Sequence, residues 1–400
     1  MSETPDASTA STTRHHDVVI VGGGAGGIAT AASLHRRQPD LDIAIVEPAQ
    51  DHFYQPGWTL VGGGVFTPEQ TRRSMRSVMP SFVTWHQTSA ERLLPESRQV
   101  ALGDGSTLGY RALVVAPGLE LDWQAIEGLE ESLGSHGVTS NYRFDLAPYT
   151  WSLVQGMRGG KALFTQPPMP IKCAGAPQKA MYLACHEWEK QGVLGDIEVN
   201  FHNAGCGVMF GVSDFVPALD AYVQRYGIHK QFQQDLIAVD GPAQKARFRV
   251  TDGEASEEIE TYFDMLHVVP PQRAPRLVRE SPLANAGGWL DLDAETLQHN
   301  RYPDVFGLGD ASGTSNAKTA AAVRKQAPVV ADNLLAALDG KPMPSGYAGY
   351  GACPLTVETR PGWCWRSSVT AASCSRPSRL AQSGHRPTRL GWHLKAQRSP

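Results

Sequence analysis

The most constraining feature of this chain is Gly22-Gly23-Gly24-Ala25-Gly26-Gly27, set between an apolar run at 17–21 and an Ala-rich stretch at 28–37. A β-branched run, a glycine cluster and a helix-forming segment in that order predict a strand, a tight turn and a helix that starts at the turn. The spacing is Gly22-x-Gly24-x-x-Gly27. Gly22 permits the tight turn, Gly24 lets the backbone approach a pyrophosphate, and Gly27 lets helix and strand pack closely. The helix N-terminus then faces the phosphates. Twenty residues past Gly27 the strand candidate 42–46 ends in Glu47, the acid expected at a ribose hydroxyl. These features predict a dinucleotide site on an α/β sheet.

A second signal selects the dinucleotide. Residues 302–310 read Tyr-Pro-Asp-Val-Phe-Gly-Leu-Gly-Asp, an apolar strand that ends in Gly309-Asp310, followed by Lys318-Thr319 and an Ala-rich helix to about Leu338. A strand-end aspartate late in the chain, just before a helix N-terminus, suits the ribityl chain of FAD. Val114-Val115-Ala116-Pro117-Gly118 resembles the strand-turn that closes the same domain in flavoproteins with two dinucleotide-binding domains. The expected architecture is α/β with two Rossmann-like domains. The FAD domain takes 15–122 and 289–345, and 123–288 is inserted between them.

An insert that bound NAD(P)H would open with its own strand and glycine turn. The strand candidate 197–202 runs into Asn203-Ala204-Gly205-Cys206-Gly207-Val208-Met209-Phe210-Gly211. The third glycine arrives one position late, and Met209-Phe210 puts bulk where a pyrophosphate needs bare backbone. The insert is expected to keep the fold and to lack a working nicotinamide site.

Composition narrows the function classes. Hydrophobic residues are 41% and charged residues 19% of 400, the balance of a folded protein with ample core. The net charge of −4 gives no pull toward nucleic acid. The charge is uneven: 359–400 carries seven Arg and one Lys with no acid, leaving 28 basic against 40 acidic residues, a net −12, before it. No run approaches the roughly 18 residues that a spanning helix needs. Residues 1–14 are Ser/Thr-rich without an apolar stretch and are expected to be a disordered tail on a cytoplasmic protein. The six cysteines form neither a disulfide framework nor the C-x-x-C pairs of a zinc site, so no metal is expected.

Two cysteines stand out. The strand candidate 162–166 leads through a proline-rich loop to Lys172-Cys173-Ala174-Gly175-Ala176-Pro177, and 178–190 reads as helix. Cys173 is thereby expected just before a helix N-terminus and beside cationic Lys172, both of which favour thiolate. Cys353 sits in Gly349-Tyr350-Gly351-Ala352-Cys353-Pro354-Leu355, past the last helix of the FAD domain. Two loop cysteines, each near proline, are candidates for a redox pair over the flavin. Cys185 and Cys206 read as inert.

The runs Pro170-Ile-Lys-Cys173-Ala-Gly-Ala-Pro-Gln-Lys179 and Tyr347-Ala-Gly-Tyr-Gly-Ala-Cys353-Pro-Leu, with Tyr54-Gln-Pro-Gly57 and Lys318-Thr-Ala-Ala-Ala322, resemble sulfide:quinone oxidoreductases of the branch that includes the mitochondrial enzyme. The similarity runs over roughly 15–358. The resemblance implies FAD held by Gly22, Gly24, Gly27, Glu47, Gln55 and Asp310, with a backbone contact to adenine near Ala90. It implies a redox pair of Cys173 and Cys353, in which hydrosulfide attacks the disulfide, Cys353 keeps the sulfane sulfur and Cys173 donates to the flavin. A thiol, sulfite or second hydrosulfide then accepts the sulfur, and the electrons reach a quinone. Lys318 is the candidate to stabilise charge on the reduced flavin, and 53–58 is the candidate quinone entry. A peripheral position on the inner membrane surface is expected, and a homo-oligomer stays open.

The pattern departs from the family after Thr359. Residues 359–383 show no period of 2 or 3.6, whereas 387–396 again resembles the family, an arrangement that a shifted reading frame between about Glu358 and His385 would produce. A disordered basic tail is the other reading. Two further functions remain open at this stage: a type II NADH dehydrogenase, and a flavin-binding remnant without catalysis.

Overall fold

The computed structural model describes residues 13–205, 215–315 and 317–359, together with the backbone of Ser368–Ala372. Two sheets organise it. The first is seven-stranded and is built around Arg14–Val21, which pairs in parallel with Ile43–Val46 on one side and Thr107–Val115 on the other. Val305–Gly307 returns from far along the chain to lie parallel to Thr107–Val115. Val18, Val19 and Ile20 are fully buried, as a central parallel strand covered on both faces requires. Helices Ala25–Arg37 and Ala320–Leu338 pack on one face around Leu34, Val330 and Leu334.

The opening strand starts at Arg14, inside the stretch expected to be tail. Arg14 pairs with Leu108 and His15 with Gly109, and His16 reaches Asp42 at 3.0 Å. Cross-strand pairing therefore extends past the apolar run that marked the strand in sequence. Residues 1–12 lie outside the described residues.

The second sheet contains Val138–Thr139, Met265–His267, Gly160–Gln166, Ile197–Asn203 and His229–Phe232, all parallel. Its helix Ala176–Gln191 covers it with Tyr182, Cys185 and Trp188, all fully buried. A three-stranded antiparallel sheet, Gln234–Asp240, Lys245–Asp252 and Ala255–Tyr262, extends from this unit. The glycine loop that decides nicotinamide binding, from Cys206 onward, lies outside the described residues.

Past the last helix the chain turns back onto the second sheet's helix. Cys353 lies in the short strand Ala352–Thr356 and not in a loop, with Leu355 and Val357 buried in the core around Trp188. That strand pairs antiparallel with Ser368–Ala372, inside the stretch whose sequence carries no periodicity. Backbone pairing with a neighbour forms this strand where side-chain alternation does not announce one.

Candidate functional site

A cavity of about 660 Å³ opens between the two sheets, lined at one end by Gly22, Gly24 and Glu47 and at the other by Cys173 and Cys353. At the first end the turn is built as the glycine spacing requires. Gly22 has φ +104°, and a Cβ there would stand 2.4 Å from the Ala116 carbonyl oxygen. A Cβ on Gly27 would stand 1.9 Å from the Gly22 oxygen. Gly24 differs, because a Cβ there meets nothing within 4 Å. Gly24 caps helix Ala25–Arg37 with no side chain, so the amides of the first turn face open space. Glu47 accepts hydrogen bonds from the amides of Gly23 and Ala49, both at 2.8 Å. Gly118, at φ +82°, lines the same space.

This end fits the pyrophosphate and ribose of a dinucleotide: an anion cradle of bare backbone with a carboxylate at its rim. Asp310 lines the middle of the cavity, and its carboxylate makes no hydrogen bond among the described residues. Burial pushes that carboxyl up, against Lys172 and Lys318, which pull it down. Ala90 opens the strand Ala90–Leu94 and does not line the cavity.

At the other end the two cysteine sulfurs stand 3.0 Å apart although 180 residues separate them. Cys173 adopts φ +48°, a left-handed conformation that a side chain disfavours. The surroundings hold it there. Its amide donates to the Lys318 carbonyl at 2.9 Å, and its own carbonyl accepts from Ala176 at 2.7 Å and from the Tyr142 hydroxyl at 3.3 Å. Pro177 in the first turn starts the helix as the sequence predicts.

The electrostatics separate the two thiols. The hydrogen bond shared by the two sulfurs and the positive charge of the Lys179 ammonium 3.6 Å away hold Cys173 well below the usual thiol range against its burial. Cys353 is pushed up, chiefly by that same hydrogen bond to an anionic neighbour and by burial. Of the two sulfurs, Cys173 is the one whose surroundings favour the thiolate and Cys353 the one whose surroundings favour the thiol. Cys185 is fully buried and shifted up by burial, which agrees with an inert role.

The cation on Cys173 is Lys179, whereas sequence proximity pointed to Lys172. Lys179 lies six residues on, in the first turn of the helix, where it folds back over the cysteine. Lys172 turns the other way, donating to Gln55 Oε1 and lying 5.7 Å from the ring centroids of both Trp58 and Tyr142. Lys318 donates to the carbonyls of Asp310 at 2.8 Å and Ser312 at 2.7 Å and sits 4.0 Å over the Trp289 ring. Burial lowers its pKa to about 8. Phe53, Pro56 and Trp58 form an apolar wall of the same cavity.

In the reduced protein, Lys179→Met is expected to raise the Cys173 pKa by about one unit or more, because a buried thiolate loses its counter-charge. Alkylation of Cys173 followed by mass spectrometry against pH then shows an inflection moved to higher pH, and an unmoved inflection removes Lys179 from this role.

A protein-family model described as pyridine nucleotide-disulphide oxidoreductase matches residues 16–154. The chain is 39% identical over 325 residues to the mitochondrial sulfide:quinone oxidoreductase of Dictyostelium discoideum, covering 81% of this chain and 71% of that one. It is also 39% identical over 330 residues to the mouse (Mus musculus) mitochondrial enzyme of the same name, covering 82% and 73%. The chain belongs to the sulfide:quinone oxidoreductase family. Among solved structures, the sulfide:quinone oxidoreductase of Aquifex aeolicus superposes with a TM-score of 0.74 over 90% of this chain and 87% of that one, at 20% identity. At that identity the likeness shows the fold, two Rossmann-like units as the sequence predicts, and the family match makes the chain an oxidoreductase. The sulfide:quinone oxidoreductase resemblance read from the cysteine runs is borne out.

Proposed function

We propose that this chain oxidises sulfide at Cys173 and Cys353 and passes two electrons through FAD to a membrane quinone. The observation that carries this reading is the meeting of the two sulfurs at 3.0 Å on the wall of a cavity whose far end is a dinucleotide cradle. In the oxidised state the pair is a disulfide. Hydrosulfide attacks the Cys353 sulfur, so that the Cys173–Cys353 bond breaks, a persulfide forms on Cys353 and Cys173 leaves as thiolate. The leaving sulfur is the one that Lys179 and the helix N-terminus stabilise as an anion, so the electrostatics give the attack its direction. A thiol, sulfite or second hydrosulfide then removes the outer sulfur and leaves Cys353 as thiolate. Bound FAD would supply the two-electron acceptor that lets the two thiolates return to the disulfide, and the route by which those electrons would reach the quinone.

Gly22, Gly24 and Glu47 would hold the pyrophosphate and adenosine end, with Gly27 letting the helix pack close behind the turn, Gly118 and Gln55 would line the path, and Asp310 would hold the ribityl chain. Lys318 supports that arrangement through the Asp310 and Ser312 carbonyls. No helix among the described residues is long and apolar enough to cross a membrane, which suits a peripheral protein that takes quinone from the surface. Anaerobic titration of the flavin-loaded protein with sulfide tests the reading. Sulfide is expected to bleach the flavin and a short-chain quinone to restore it, whereas bleaching by NADH and not by sulfide selects the dehydrogenase instead.

A further inference from the structure

Lys172 has no part in the scheme above. Its side chain points away from the sulfurs into the wall formed by Gln55, Trp58 and Tyr142. The other two cavity lysines are engaged: Lys179 on the Cys173 sulfur and Lys318 on two backbone carbonyls. Lys172 donates one N–H to Gln55, and its other two make no hydrogen bond among the described residues. The rings of Trp58 and Tyr142 hold the cation without neutralising it. Phe53, Pro56, Trp58 and Leu60 give this part of the cavity flat apolar walls. A cation with free N–H bonds beside such walls matches a planar, apolar ring that carries carbonyl oxygens.

We propose that Lys172 is a catalytic proton donor to the quinone. This rests on the sulfide-to-quinone reading. A quinone takes up two electrons, which the oxidation of sulfide supplies, and two protons. Lys172 gives one of those protons and solvent the other: a Nζ–H bond breaks as an O–H bond forms on the reduced quinone, and a further solvent proton restores the ammonium. Gln55 holds the ammonium in place. Burial lowers the pKa of Lys172 and eases proton release, while the charges of Asp310 and, from behind, Cys173 oppose that shift.

The experiment follows the two half-reactions separately by stopped flow on flavin-loaded Lys172→Gln, Lys172→Arg and parent protein. Reoxidation is started from dithionite-reduced protein with a decyl-substituted benzoquinone, so it reads Lys172 independently of sulfide chemistry. Both variants are expected to reoxidise about 100-fold more slowly than the parent. Arginine keeps the charge but does not release a proton, so it fails to rescue. The parent rate is expected to fall as pH rises through the Lys172 pKa, since the donor is the ammonium, and that fall is absent in Lys172→Gln. The visible flavin spectrum reports that each variant is folded and loaded. Unchanged reoxidation in Lys172→Gln overturns the proposal, and so does full rescue by Lys172→Arg, which would reduce the lysine to a fixed charge. Failure of sulfide to bleach the parent flavin sinks the underlying reading instead and leaves the dithionite-started comparison intact.

Discussion

Serine at either Cys173 or Cys353 is expected to slow sulfide-driven flavin bleaching by about a thousandfold or more, because each sulfur forms or breaks a bond in the reaction. Serine keeps the volume and a hydrogen bond, but an alkoxide forms no disulfide and is a poor leaving group. The two variants are expected to differ after one addition of sulfide. Cys353→Ser loses the site of the sulfane sulfur, whereas Cys173→Ser loses the low-pKa sulfur that leaves. Combining them is expected to cost little more than either alone, since the sulfurs act as one unit. Both variants should bind FAD normally, because neither residue belongs to the glycine cradle. Anaerobic bleaching by sulfide at the parent rate in either variant would falsify the cysteine chemistry.

The second large effect lies at the other end of the cavity. Gly27→Ala is expected to destabilise the protein by about 3 kcal/mol and to remove bound flavin, because its Cβ would lie 1.9 Å from the Gly22 backbone oxygen. That oxygen belongs to a tight turn and has nowhere to retreat. Gly24→Ala is the contrasting case. Its Cβ meets open space and its φ is ordinary, so the ligand-free protein should melt near the parent temperature while its affinity for FAD falls. The pair separates packing from ligand approach, with thermal melts and flavin content as readouts. A Gly27→Ala protein that melts with the parent and keeps its flavin would show that the helix can shift outward.

Much of the site is legible in the sequence because its parts are local. Residues 22–27 need neighbours only a few positions away to make the turn, and Pro177 fixes the start of its helix through its own ring. Other parts are not local. Lys172 is adjacent to Cys173 in the chain, yet the left-handed backbone at Cys173 sends the two side chains apart, and Lys179 takes the place on the sulfur. The spacing of six does carry a signal, since a residue in the first turn of a helix can fold back over the residue before it. Tyr142 carries no such signal: its hydroxyl reaches the carbonyls of Lys172 and Cys173 only because the second sheet packs beside that loop.

Sequence alone determined the α/β class, the dinucleotide turn, the helix behind Cys173 and the resemblance of two short cysteine runs to one enzyme family, because each depends on residue type and near spacing. The sequence also pointed to Cys173 as the sulfur favoured as thiolate, but only the tertiary structure decided that two sulfurs 180 residues apart stand 3.0 Å from each other and which lysine lies on Cys173. Those outcomes depend on distance and burial in three dimensions, where electrostatic interaction is strong over a few ångströms and indifferent to separation along the chain.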